Sequence, residues 1–295
     1  MITISAATGQ LGQAIIPLLL QHVEPSELNL VVRTPAKAEA FAQQGIRIQQ
    51  ADYADFDALL KGFQGTDKLL LISAFGTVPE RIQQHRNAID AAKQTGVKHI
   101  IYTSFIDADP ASPSEIAVVH ADTEQYLKAS GMAWTILRNG VYADDVLRNA
   151  AQALQTGVLA SATKDAGTSF ITRNDLARAT ASVLLGQGYE GKIYILTGPA
   201  VITQERFAQL LSEVTGKPIQ YVPISFEQLE AGLKQAGLPE LIVTMLVSSQ
   251  KATAQGRTSQ VTNDVLNLTG QAPEPYASVV RRELANAQIL TSNAS

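Results

Sequence analysis

The chain has 295 residues, of which 45% are hydrophobic and 17% charged, and 23 basic against 27 acidic side chains leave a formal charge of −4. So sparse a charge, with no basic block, excludes a surface built to hold polyanions, and nucleic acid is not an expected partner. There is no cysteine, which removes thiol catalysis, disulfides and cysteine-ligated metals together and fits a reducing, cytoplasmic compartment.

In chain order, residues 2–5 read as a strand that runs into Ser5-Ala6-Ala7-Thr8-Gly9-Gln10-Leu11-Gly12 and then a helix over 10–22. From this start no signal peptide is expected. A glycine turn between an opening strand and a helix can bring backbone N–H groups and the positive helix end onto a pyrophosphate. The spacing here is 6, 9 and 12, and position 6 is Ala, whose methyl group crowds the turn. A tight turn without a ligand is the alternative. The next strand, 28–32, ends at Arg33, where a site for NAD would carry an acid. Arg33 can instead pair with a 2′-phosphate, and Lys37, in a helix over 35–43, adds charge. The pattern therefore predicts NADPH in preference to NADH; the plainer reading is a solvated cation at a strand end.

Strands over 46–50, 68–72, 99–103 and 134–137 follow, separated by helices over 56–62, 79–95 and 114–130. Pro35 and Pro79 suit first helical turns, and Gly96 and Gly131 suit helix stops. Alternation at this spacing forces parallel pairing with right-handed crossovers, giving an α/β fold with a Rossmann-type doubly wound parallel sheet. Ligands of such sheets bind outside the carboxyl ends of the strands. Asp52 and Tyr53 follow the third strand and can meet the adenine. Ser73, Ala74 and Phe75 follow the fourth, and Thr103 and Ser104 the fifth.

Beyond residue 140 the alternation loosens into a helix over 174–185 capped by Asn174, a strand over 192–196, and a helix from Thr203 to near Gly216. The stretch 225–269 is mostly helical and apolar, centred on 241–247. This predicts a dinucleotide-binding domain over 1–150 and a smaller, mostly helical substrate-binding region over 151–295, with returning segments that complete the sheet. The longest nearly apolar run, 15–20, is too short to cross a bilayer, so membrane insertion is not expected. The four histidines are dispersed without metal-ligand spacing, and a metal is not expected.

With these residues in hand the chain resembles the NmrA-like, atypical branch of the short-chain dehydrogenase/reductases, nearest to its NADPH-dependent quinone oxidoreductases and triphenylmethane reductases. The motifs that carry the likeness include Ala7-Thr8-Gly9-Gln10-Leu11-Gly12, Val32-Arg33-Thr34-Pro35, Gln84-His85-Arg86-Asn87, Gly96-Val97-Lys98-His99, Leu137-Arg138-Asn139-Gly140-Val141-Tyr142 and Thr172-Arg173-Asn174-Asp175. The resemblance implies NADP(H) contacts from Ala6 through Leu11, from Arg33, and from Ser73 to Phe75. It also implies contacts from Asn139, Gly140, Val141 and Tyr142 beside the nicotinamide, and from Arg173. Carboxyl-terminal helices would roof a substrate cleft. Ala6 departs from the pattern, since relatives usually carry glycine there.

The usual short-chain dehydrogenase pair, Tyr-x-x-x-Lys, is absent: none of the eight tyrosines has Lys four residues later. A quinone needs no such acid, because its reduction to an aromatic hydroquinone is downhill and water can supply protons; the protein must mainly align the reactants. Phe75, Phe105, Tyr142 and Met245 are candidates to line the cleft. His120, in the polar run His120-Ala121-Asp122-Thr123-Glu124, is the candidate proton donor, with a helix-surface role as the alternative. His85 reads as a packing residue. The expected partner is a small quinone or aromatic electrophile, and the sequence does not choose between monomer and homodimer. The competing function is a non-catalytic dinucleotide-binding redox sensor, as the resemblance to NmrA allows.

Overall fold

The computed structural model describes residues 1–292. From the amino end, β1 (Ile2–Ser5) turns into α1 (Gln10–Leu19), followed by β2 (Leu28–Val32), α2 (Glu39–Ala42), β3 (Arg47–Gln50) and α3 (Phe56–Gly62). Then come β4 (Lys68–Leu71), α4 (Val78–Gln94), β5 (His99–Phe105), α5 (Glu115–Ala129) and β6 (Ala133–Asn139). The chain continues through α6 (Val146–Thr156), β7 (Val158–Ser161), β8 (Gly167–Thr168), α7 (Arg173–Leu185) and β9 (Lys192–Leu196). It ends with β10 (Ile202–Thr203), α8 (Gln204–Thr215), β11 (Gln220–Pro223), α9 (Phe226–Gln235), α10 (Glu240–Ala254), α11 (Asp264–Thr269) and α12 (Tyr276–Ser292).

The main sheet has seven strands in the order β3-β2-β1-β4-β5-β6-β9. Pairing is parallel from β3 through to β6, so all six carboxyl ends emerge along one edge. The order reverses beside β1, which makes the edge next to β1 and β4 the switch point of a Rossmann-like sheet. The predicted elements are borne out with shifts at their ends. The first helix stops at Leu19, and the stretch after Pro35 is a 3-10 turn, Pro35–Ala38, before the short α2. α7 begins at Arg173, so Asn174 lies inside its first turn and does not precede it. β5 and β6 each run two residues past the predicted end, because the register continues through Ser104↔Arg138 and Phe105↔Asn139.

The described chain divides into two units, residues 1–110, 117–139 and 173–195 in the first, and 111–116, 140–172 and the described residues from 196 onward in the second. Residues 140–150 therefore group with the second unit, while α7 returns to the first. In the first unit β2 is buried along its whole length, as a strand covered on both faces must be. Leu59, Leu69, Leu71, Ile89, Ile100 and Ile136 form its core. α1 packs on α7, and Lys68 Nζ donates to the Leu184 and Gly186 carbonyls at 2.8 and 2.5 Å, closing the carboxyl end of that helix. In the second unit Phe170 stacks on Tyr276 with ring centres 4.5 Å apart, packed with Phe207, Leu210 and Val280. There β7 pairs parallel with β11, and β8 antiparallel with β10.

Candidate dinucleotide site

In the first unit, the turn after β1 is built for close approach. Ala6 takes a left-handed conformation, φ 50°, which costs a non-glycine residue about 1 kcal/mol. The turn is closed by the Gly9 N–H, which donates to the Ala6 carbonyl at 3.0 Å. Ala7 and Leu11 point into the core, so at those positions only backbone can meet a ligand; Thr8 is half-buried, and Gly9 and Gln10 are exposed. Gly12 is obligatory, since a Cβ there would stand 2.4 Å from the Ala7 carbonyl oxygen. Gly9 caps α1 with no side-chain bond, and the first turn carries no acid. The leading N–H groups of α1 are thus left for an outside anion, with the helix dipole behind them.

Along the same edge, the Arg33 side chain is 80% exposed and stands 3.9 Å from Asp52, while Lys37 is exposed in the turn that follows. Asp52 also accepts the Ala54 N–H at 2.9 Å. Tyr53 turns inward: its hydroxyl meets Ser5 Oγ at 2.5 Å and the Ile72 carbonyl at 2.7 Å, and burial pushes its ionisation far above the usual range. Its ring thereby ties β1 to the end of β4. After β4, the Ser73 N–H donates to Thr103 Oγ1 at 3.0 Å and the Ala74 N–H to His85 Nε2 at 2.8 Å. Phe75, next in line, is 70% exposed. Ser104 donates to Glu124 at 2.6 Å, and Arg138 grips the same buried carboxylate through Nε and Nη2 at 2.8 and 2.7 Å. That carboxylate holds the Arg138 guanidinium more firmly protonated than usual.

Asn139 closes β6. It is 3% exposed, and neither its amide nitrogen nor its amide oxygen has a partner. A buried amide left with one unused acceptor and two donor hydrogens is costly unless something outside the chain meets it. The open α1 end, the close Gly12 contact and this orphaned amide fit a bound dinucleotide. Among the described residues no cluster of three metal-ligating side chains exists, and no helix is long and apolar enough to cross a membrane.

His120 lies deep in the first unit, 4% exposed, and not on a helix surface. Its Nε2 accepts from Arg81 at 3.3 Å, so in the neutral ring the proton sits on Nδ1, which lies 2.7 Å from the Tyr102 hydroxyl. Desolvation first, and then the Arg81 charge, hold it well below its ordinary range. The ring is neutral and both its nitrogens are engaged. Phe105, half-buried, lies 6.2 Å from it between ring centres, and Arg173 starts α7 half-buried.

The remaining expected residues belong to the second unit. Gly140 donates to the Leu196 carbonyl at 2.8 Å, Val141 accepts from Ile171 at 3.0 Å, and Tyr142 bridges to Ile171. Met245 is half-buried on α10. A cavity of about 290 Å³ in this unit is lined by Pro113, Val243, Val247, Ser248 and Lys251, and Met245 is not among its walls. Sequence reasoning missed His85, Glu124 and Thr123 as supports of the edge; the Gln84-His85-Arg86-Asn87 motif was the one available signal.

Residues 6–186 match the NAD(P)H-binding family. The chain is 44% identical over 256 residues to quinone oxidoreductase 2 of Escherichia coli, covering 87% of this chain and 89% of that protein. An NAD(P)H azoreductase of Xenophilus azovorans is 27% identical over 97% of this chain and 98% of its own. Among solved structures, the E. coli NADPH-dependent quinone oxidoreductase complexed with NADPH superposes with a TM-score of 0.92 at 41% identity, covering 96% of this chain and all of that one, 100%. The Citrobacter triphenylmethane reductase with NADP(H) gives 0.89 at 34% identity, over 96% and 99% of the two chains. The family resemblance read from the motifs is borne out, and the chain belongs to the NAD(P)H-binding family.

Proposed function

We propose that this protein is an NADPH-dependent oxidoreductase that reduces quinones or similar planar electrophiles by direct hydride transfer. The observation that carries the reading is the buried, unpartnered amide of Asn139 at a strand end of the ligand-binding edge. An amide with both donor and acceptor free is the complement of a nicotinamide carboxamide. The names of the similar E. coli and Citrobacter proteins support the acceptor class. Bound reduced dinucleotide supplies the hydride.

The chain's own residues hold and orient. The open end of α1 takes the pyrophosphate, and Arg33 with Lys37 takes the 2′-phosphate that a carboxylate at that place would repel. Asp52, the Ser73–Phe75 segment and Asn139 complete the first unit's cofactor contacts, with Thr103 and Ser104 as supports beneath. Phe75 and Phe105 offer the first unit's apolar surface to a flat ring. No side chain is required as an acid, since the neutral, engaged His120 has no proton to spare and an aromatic product takes its protons from water. Action in a reducing, cytoplasmic compartment fits the absence of cysteine.

The test is oxidation of NADPH, followed by nicotinamide absorbance, against a panel of small quinones. Saturable, quinone-dependent turnover with NADPH preferred to NADH is expected. Absence of turnover, together with near-equal binding of the two dinucleotides, would favour the redox-sensor reading.

A further inference from the structure

The residue that fixes the loop after β4 is a histidine eleven residues further along the chain. His85 is fully buried on α4. Its Nε2 accepts the Ala74 N–H at 2.8 Å, and its Nδ1 lies 2.8 Å from Thr123 Oγ1 on α5. Thr123 spends its own hydroxyl proton on the Val119 carbonyl at 2.8 Å, so it accepts from His85. The tautomer follows without ambiguity: a backbone N–H can only donate, so Nε2 is bare and Nδ1 carries the proton. Desolvation, and the Arg81 charge after it, hold His85 at about 3, which keeps this arrangement intact at neutral pH.

Two consecutive backbone N–H groups of the loop, Ser73 and Ala74, are thus taken by buried side chains, Thr103 and His85. The next residue is Phe75, a large ring left 70% exposed. A loop whose amides are both pinned from below cannot relax to bury that ring, and its outward groups are preorganised for a ligand. We infer that His85 is a positioning residue, which fixes the Ser73–Phe75 loop from beneath and so presets it for the dinucleotide. The inference rests on the cofactor reading above for what the loop meets, and on the structure alone for what holds the loop.

The experiment compares two variants of similar polarity. His85→Gln can place an amide oxygen where Nε2 stands and keep the Ala74 bond; His85→Asn reaches only the Nδ1 position and loses it. In cofactor-free protein, exchange of the Ala74 amide is read by hydrogen–deuterium exchange; NADPH affinity is read by fluorescence, and kcat and KM with one quinone. His85→Asn should speed Ala74 exchange and raise the NADPH Kd and KM about tenfold with kcat within about twofold, and His85→Gln should restore both to within about threefold of wild type. Equal behaviour of the two variants, in exchange or in affinity, overturns the inference. Wild-type protein that fails to bind NADPH overturns the cofactor reading instead, and the exchange comparison still decides whether His85 holds the loop.

Discussion

Two arginines of the first unit carry the same charge into opposite surroundings. Arg33 is 80% exposed with its nearest acid 3.9 Å away, so water screens it and an arriving phosphate displaces only solvent. Arg81 is 8% exposed, and among the described residues its guanidinium meets the neutral ring of His120 and no carboxylate; its Nε has no partner at all. The first can be lost without disturbing the fold, which is what a recognition group requires. The second is bound into an arrangement of Arg81, His120 and Tyr102 where each group depends on its neighbour, because an unpaired polar group in that interior has no water to fall back on.

Removing His120 tests the sealed side most severely. His120→Ala deletes a buried ring and strips partners from both Arg81 and Tyr102, and should cost about 4 kcal/mol in urea unfolding at neutral pH. A loss below about 1 kcal/mol would break the contrast. Acid acts on the same region. The unfolded chain binds a proton on His85 near the ordinary 6.5, whereas the folded protein resists until about 3, so stability falls as pH drops through that window. The loss from His85 alone should be about 2 kcal/mol by pH 5, and His120, lowered by the same burial, adds in the same direction. Urea midpoints at pH 7 and pH 5 give the measurement, and equal midpoints would refute it.

The open side should respond in affinity and not in stability. Arg33→Ala should weaken NADPH binding about tenfold, leave NADH binding unchanged and shift unfolding by less than about 0.5 kcal/mol. Equal losses for both dinucleotides would remove Arg33 from 2′-phosphate recognition. The smallest effect belongs to Ala6→Gly. Relief of the left-handed φ of 50° is partly offset by the entropy glycine loses on folding, leaving a gain of about 0.5 kcal/mol in thermal unfolding and NADPH affinity equal or tighter. A destabilised variant would show that the turn carries no strain.

The sheet and its edge were legible because both are written in local pattern: β-branched runs alternate with helical stretches, and most of the expected cofactor residues lie at or just past a strand end. The supports were not, because they depend on α4 meeting α5, a contact between residues nearly forty positions apart that no periodicity encodes. For that reason His85 reads in the sequence as packing, and His120 as a proton donor or a polar group on a helix surface. The ends of β5 and β6 were underestimated on similar grounds. Ser104 and Arg138 look like loop residues until Glu124, at 2% exposure, is found satisfying both. Ala6 shows the converse: its residue type flagged a crowded turn, and the positive φ gives that crowding a physical form.

The return of residues 173–195 to the first unit sets an order on synthesis. Translation delivers β1 through β6 first and then residues 140–172, before α7 can reach α1 or β9 can pair with β6. Through that interval the nascent chain carries an unpaired β6 edge and an uncovered face of α1, and Lys68 waits for the Leu184 and Gly186 carbonyls more than a hundred residues downstream. The two units are therefore interleaved in time as well as in sequence: the second begins to emerge before the first can close, and a fragment cut at residue 150 would lack the strand and helix that finish it.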